Sequence, residues 1–118
     1  MANSGPEHNL VRLPFIERLR TVGWRAEQIR SAPEWRVPKS PSEATKRESG
    51  QSFEGFPVDI ALFSDVDHAD DYRHVRVIVE TKAPIKEAGL SQLETYLSLE
   101  PRARLGIWTN GKQTVGLF

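Results

Sequence analysis

The sequence contains no cysteine, no long apolar run and no net charge. Without cysteine, the chain has no disulfide scaffold, no thiolate zinc site and no cysteine nucleophile. No apolar run approaches the ~20 residues that a membrane-spanning helix requires, and the first residues lack the basic and apolar parts of a signal peptide, so a cytoplasmic protein with no membrane segment is expected. The 16 basic residues balance the 16 acidic ones, a composition that is not typical of a strongly basic nucleic-acid-binding domain.

The 118 residues are enough for one folded domain with a single core. Apolar residues at helical spacing predict a first helix near residues 10–22, which either begins at Pro14 or is kinked there. Runs rich in β-branched residues predict strands at 57–63 and 75–82, and a leucine stripe predicts a helix that ends near Leu99. The remaining predicted elements are an extended segment at 24–29, a strand at 105–108 and a last strand at 113–118, the last two joined by an Asn110-Gly111 hairpin turn.

The segment 31–55 is rich in Ser, Pro, Glu, Lys and Gly, and we predict that it is a long flexible loop. The order of helix, strands, helix and strands is typical of an α/β domain with a central mixed sheet flanked by helices. Because the chain ends in an apolar strand, we expect residues 1–118 to be the N-terminal part of a longer protein.

Charged residues interrupt the two clearest strands. Asp59 lies inside an apolar run, where a carboxylate costs free energy to bury unless it is paired, hydrogen-bonded or bound to a metal. Because side chains alternate along a strand, Glu80 and Lys82 emerge from the same face. If the two strands are adjacent, the carboxylates converge on one site suited to a hard divalent cation. The alternative is an ordinary ion pair of Lys82 with Asp59 or Glu80.

Two further groups of polar residues differ in what their spacing predicts. Gln92 and Tyr96 are four residues apart on the predicted helix, so they lie on one face beside its leucine stripe. They either cap the edge of the core or face the carboxylates. His8, His68 and His74 show no ligand spacing, and we expect them to be solvated.

These residues resemble a known family. Pro57-Val58-Asp59, Glu80-Thr81-Lys82 and the Gln92 to Tyr96 element resemble the motifs of the PD-(D/E)xK nuclease superfamily. The Gln-x-x-x-Tyr element is the most diagnostic, and it is similar to the amino-terminal nuclease domain of type I restriction enzyme R subunits. Val22-Gly23-Trp24 and the run from Gly106 to Gly111 resemble the same domain. The resemblance covers roughly residues 7–118, without the segment 31–55.

The resemblance implies a restriction-endonuclease-like three-layer sandwich, truncated at its C-terminus, and Mg²⁺-dependent hydrolysis of DNA, with Mn²⁺ as a possible substitute. The residues that match magnesium ligands are Asp59, Glu80, Thr81 through its backbone carbonyl, and Glu7 from the first helix, with Glu17 as a poorer match for the last. Lys82 matches the residue that helps to activate water. Gln92 and Tyr96 match residues that support the site or the DNA backbone.

Affinity for DNA comes largely from phosphate contacts. The basic residues expected to make them are Arg12, Arg18, Arg20, Arg25 and Lys86. The resemblance further implies a prokaryotic protein that acts in restriction of foreign DNA, with a motor domain and specificity and methyltransferase subunits as partners. Two alternatives stay open: a non-catalytic docking or nucleic-acid-binding module with the same fold, and a resolvase or repair nuclease of the same superfamily.

Overall fold

The computed structural model describes residues 7–83 and 89–118. The helices in this part of the chain are α1 (Leu13–Thr21), α2 (Pro41–Glu48) and α3 (Leu90–Leu99). The strands are β1 (Ile29–Ser31), β2 (Arg36–Val37), β3 (Phe56–Pro57), β4 (Ile60–Phe63), β5 (Val75–Thr81), β6 (Leu105–Thr109) and β7 (Thr114–Leu117). Short 3-10 turns precede β1 and interrupt the β4–β5 connection.

The first helix begins with a π-helical turn over His8–Arg12 that continues directly into α1. The backbone N–H of Leu13 donates to the carbonyl of His8, five residues back, and Pro14 follows in the first turn of α1. This position tolerates a proline, which has no N–H to donate. Arg12 and Leu13 both have helical backbone angles, so the helix does not start at the proline but changes from π-helical to α-helical geometry just before it. The preceding turn carries Glu7 and Arg12 toward the sheet.

A mixed sheet of five strands, in the order β1-β4-β5-β6-β7, forms the centre of the fold. Strands β5 and β6 are parallel, and the other neighbouring pairs are antiparallel. Helix α3 lies in the connection between the two parallel strands, where a crossover is required. Strands β2 and β3 form a separate antiparallel pair. The predicted α/β class with a mixed sheet is therefore confirmed.

Apolar side chains cover both faces of this sheet. On one face, Leu19 of α1 packs with Ile60 and Val79 of the central strands. On the other face, Leu93 and Tyr96 of α3 pack with further side chains of the same strands. The sheet thus lies between α1 and α3, and its central strands are buried on both sides.

The segment 31–55, predicted to be one long loop, contains regular secondary structure that the prediction did not include. It contains β2 and the eight-residue helix α2. Ser40 caps α2 by accepting a hydrogen bond from the N–H of Glu43, and Pro41 occupies the first turn. A capping serine followed by proline is a helix start. The prediction counted both residues as loop formers, and this is why it missed the helix.

Other predicted boundaries also differ from the structure. The segment 24–29 forms a 3-10 turn over Ala26–Gln28, and the first strand starts only at Ile29. The predicted strand 57–63 is divided between β3 and β4, with Asp59 in the break. The last hairpin has a four-residue turn rather than two, because Thr109 pairs with Thr114. In the described part of the chain, no helix is long and apolar enough to cross a membrane.

Candidate functional site

The structure brings Asp59, Glu80 and Thr81 together at one end of the central sheet. Ile60 pairs with Val79 in the antiparallel sheet. One position further along, the same register places Asp59 across from Glu80. Oδ2 of Asp59 accepts hydrogen bonds from the backbone N–H of Thr81 at 2.8 Å and from its hydroxyl at 3.2 Å. These bonds fix the Asp59 carboxylate beside the end of β5, although Asp59 itself lies outside the strands.

The turn before α1 adds a carboxylate and a cation to this cluster. Oε1 of Glu7 accepts hydrogen bonds from the hydroxyl of Thr81 and from Nη2 of Arg12, both at 3.0 Å. The same Arg12 nitrogen donates to Oδ1 of Asp59 at 2.9 Å. Glu7 is therefore part of the cluster, as the family resemblance implied. Glu17, the poorer match, is exposed on α1.

The expectation that Arg12 contacts DNA phosphate must be corrected. Arg12 is only 7% exposed, and its guanidinium bonds two carboxylates inside the protein. Sequence reasoning missed this role because Arg12 and Asp59 are 47 residues apart.

Glu80 is held in a strongly perturbed state. Its pKa is raised to about 9, first because the carboxyl is buried, and then because of the hydrogen bond and the negative charge of Asp59. The charge of Lys82 acts in the opposite direction. A pKa raised in this way favours the protonated form of Glu80 at neutral pH. A cation bound beside Glu80 would favour its ionised form, so binding of the cation would release that proton.

Lys82 lies at the rim of the cluster. Its Nζ is 4.0 Å from Oε2 of Glu80, and its backbone N–H bonds the carbonyl of Thr109 on β6. The aliphatic part of the side chain passes over Gly89, where a Cβ would collide with Cε of Lys82 and lie 3.4 Å from the indole nitrogen of Trp108. Gly89 also has a φ of +106° immediately before α3. Sequence reasoning did not single out Gly89.

The Gln-x-x-x-Tyr element faces the same cluster from α3. The side-chain amide of Gln92 donates to the hydroxyl of Tyr96 at 2.6 Å. Burial raises the pKa of Tyr96 to about 12, and the charge of the neighbouring Glu80 raises it as well. Tyr96 is buried and Gln92 is exposed. Tyr96 also belongs to the apolar core beneath α3, so the pair lies at the edge of the core on the side of Glu80.

The other predicted DNA contacts lie apart from this cluster. Arg18, Arg20 and Arg25 are exposed on α1 and in the segment after it. Arg20 is eight residues beyond Arg12, which is ~12 Å along a helix at 1.5 Å per residue. Arg25 is also within 3.7 Å of Glu27. The prediction for Lys86 concerns a residue outside the described part of the chain.

The carboxylates of the cluster are of the ligand type that binds hard divalent cations, but the carboxylate oxygens of Glu7, Asp59 and Glu80 do not all lie within 4.8 Å of one another. Asp59, Glu80 and Glu7 offer carboxylate oxygens, which are the ligands that Mg²⁺ prefers, and no thiol or imidazole is among them. Arg12 supplies positive charge in the same place and competes with a cation for Asp59 and Glu7. Comparison of the chain with models of known protein families, with curated proteins and with solved structures finds no match.

Proposed function

We propose that this chain is a Mg²⁺-dependent DNA endonuclease domain with a restriction-endonuclease-like three-layer fold, similar to the nuclease domain of type I restriction R subunits. The observation that carries the proposal is the meeting of Asp59, Glu80 and Lys82 at the ends of adjacent strands. These residue types also occur in the order of the PD-(D/E)xK motifs.

The arrangement around the three residues supports this proposal. Glu7, from the first helical turn, bonds Thr81, and Tyr96 of α3, which is bonded by Gln92, lies close enough to Glu80 for its charge to raise the pKa of Tyr96. A structural ion pair between Lys82 and Glu80 would not require these additional polar groups at one end of a sheet. Buried polar groups that converge with perturbed pKa values are typical of functional sites.

The proposed roles follow from the position of each side chain. Asp59, Glu80 and Glu7, together with the carbonyl of Thr81, would hold Mg²⁺, which polarises a phosphate and lowers the pKa of a bound water. Lys82 is placed at the rim to orient the attacking water and to offset negative charge on the phosphate. Tyr96 and Gln92 hold the Glu80 side of the site and present an amide near the surface, where a DNA backbone would pass.

The electrostatic layout favours a domain that depends on partners for DNA affinity. The net charge is zero, and the exposed arginines of α1 lie apart from the carboxylate cluster. A few phosphate contacts give only weak, salt-sensitive binding. We therefore propose that a motor region and specificity or methyltransferase subunits supply the remaining contacts in a cytoplasmic restriction system. A resolvase or repair nuclease would share the site and differ in its substrate.

One observation favours the second candidate, a non-catalytic module that retains the fold. Both oxygens of Asp59 already accept hydrogen bonds from protein groups, one from Arg12 and the other from Thr81. A carboxylate has about four lone-pair positions, so these bonds do not saturate it. If Mg²⁺ does not displace Arg12 from Asp59, the cluster stabilises the fold and is not a metal site.

Cleavage of an end-labelled DNA duplex separates the two candidates. We expect wild-type protein in Mg²⁺ to cleave the duplex, and Lys82→Ala to abolish cleavage while Mg²⁺ binding measured by calorimetry persists. Lys112→Ala, which removes an exposed lysine from the β6–β7 turn, is the matched control and should cleave as wild type does. Equal cleavage by Lys82→Ala would refute the nuclease mechanism, and absence of Mg²⁺ binding by the wild type would favour the docking module.

A further inference from the structure

Four arginines converge on a concave pocket at the end of the sheet that lies away from the carboxylate cluster. The pocket has a volume of about 580 Å³, and the described residues that line it are Arg73, Arg76, Pro101, Arg102 and Arg104. Arg76 lies four residues before Glu80 in β5, which corresponds to roughly 13 Å at ~3.3 Å per residue. The pocket is therefore separate from the proposed catalytic site.

An irregularity in the sheet places Arg76 at this pocket. Leu62 pairs with Val77, and Phe63 pairs with Val75. Arg76 is thus an extra residue without a partner on β4. Such a β-bulge changes the direction of a side chain, and bulges are frequent beside functional sites. Nη1 of Arg76 donates to two backbone carbonyls, at 3.2 and 3.0 Å. Because a guanidinium has five N–H donors, these bonds hold the group in place and leave donors on its other nitrogens.

Two further arginines reach the pocket from the turn between α3 and β6. Arg104 lies beside Arg76 where the parallel strands begin, and its backbone N–H donates to the carbonyl of Arg76 at 3.0 Å. The guanidinium carbon of Arg102 is 5.3 Å from the centre of the Tyr72 ring, a cation–π contact that holds this side chain against the segment before β5. Two distant segments of the chain therefore deliver cations to one place.

Little negative charge offsets these arginines. Arg73 donates from Nε and Nη2 to the two oxygens of Asp71, each at 3.0 Å, and these bonds lower the pKa of Asp71 to about 2. Glu100 is fully buried and bonds Arg47 instead. Within residues 7–83 and 89–118, the arginines of the pocket that form no ion pair with a carboxylate are Arg76, Arg102 and Arg104. Because like charges repel, an anion bound among them would relieve that repulsion.

We propose that Arg73, Arg76, Arg102 and Arg104 form a binding site for a compact polyphosphate, a ligand of two or three linked phosphoryl groups. Guanidinium groups present paired N–H donors that match the oxygens of a phosphate. Three uncompensated positive charges favour a ligand with several negative charges, and the volume lies within the range of ~300–1,000 Å³ for small-ligand sites. A nucleic-acid backbone would need cations spread along its path, whereas these converge on one concavity. The site does not depend on the proposed nuclease activity.

Calorimetric titration of sodium tripolyphosphate into the full chain tests this site. The titration uses metal-free buffer of low ionic strength, because salt screens exposed charges. We expect one tripolyphosphate per wild-type chain, and binding at least tenfold weaker in Arg76→Gln and in Arg104→Gln. Arg20→Gln, which removes an exposed arginine from α1, is the matched control and should bind as wild type does. Citrate, which carries carboxylates in place of phosphates, should bind wild type at least tenfold more weakly than tripolyphosphate does.

Circular dichroism first checks that each variant is folded. Arg104 is exposed, so Arg104→Gln keeps the test valid if Arg76→Gln does not fold. The proposal is overturned if wild type does not bind tripolyphosphate, if Arg104→Gln binds it as tightly as wild type does, or if Arg20→Gln loses as much affinity. Equal binding of citrate would overturn the choice of phosphate. If these arginines bind a short DNA duplex but not tripolyphosphate, the pocket is a nucleic-acid interface and the compact ligand is wrong.

Discussion

Replacing Glu80 with glutamine should change how stability depends on pH. The pKa of Glu80 is about 9 in the folded chain, compared with 4.5 for an ordinary glutamate. Between these values the unfolded chain has released a proton that the folded chain keeps. The unfolded state then binds fewer protons, so the free energy of unfolding falls as pH rises. The slope is about 1.4 kcal/mol per pH unit, or about 3 kcal/mol between pH 6 and pH 8.

Glutamine has the shape of the protonated glutamate and does not titrate. Glu80→Gln should therefore gain about 3 kcal/mol relative to wild type over that range, because the other titrating groups are common to both chains. Urea denaturation at pH 6, 7 and 8 in the presence of a chelator measures this difference. Glu48→Gln, which alters an exposed glutamate on α2, should follow the wild-type profile. If the free energy of unfolding changes with pH equally in wild type and in Glu80→Gln, the raised pKa of Glu80 is refuted.

Three further substitutions test packing and site geometry. Glu100 is fully buried and pairs with Arg47 of α2. Glu100→Ala should therefore lower the free energy of unfolding by about 3 to 5 kcal/mol in urea denaturation. A decrease below about 1 kcal/mol would show that this pair does not hold α2 in place. Leu93→Ala should cost about 2 to 5 kcal/mol in the same assay because it opens a cavity in the core, whereas unchanged stability would contradict the assigned packing of α3. Gly89→Ala should push Lys82 away from Glu80 and strain a left-handed backbone. DNA cleavage should therefore fall at least tenfold at temperatures where the variant is still folded. Full cleavage activity would contradict the role assigned to Lys82.

The parts of the fold that the sequence predicted are those with strong local signals. The β-branched run that forms β5 and the leucine stripe of α3 identify their elements without help from distant residues. The expectation that Asp59 and Glu80 converge needed one further assumption, that the two strands are neighbours. Strands that follow each other in the sequence often lie side by side in a sheet, because the connections between them are short.

The parts that were missed depend on contacts between distant residues. Helix α2 is held by the Arg47–Glu100 pair, whose members are 53 residues apart. The sequence around Arg12 predicts a cation on the surface of a helix. In the folded chain, Arg12 instead bonds Asp59. The rings of His68 and His74 stack on each other because the β4–β5 connection closes on itself at Ser64. No local spacing rule reports any of these contacts.

Nicking of supercoiled plasmid tests the central claim most directly. The purified chain is incubated with plasmid in Mg²⁺, in Mn²⁺ and in chelator, with Glu80→Gln in parallel. We predict metal-dependent conversion of supercoiled to open-circular DNA by wild type and none by Glu80→Gln. Nicking that survives chelator, or that Glu80→Gln performs as fast as wild type, would contradict the proposal that Asp59, Glu80 and Lys82 form a metal-dependent nuclease site.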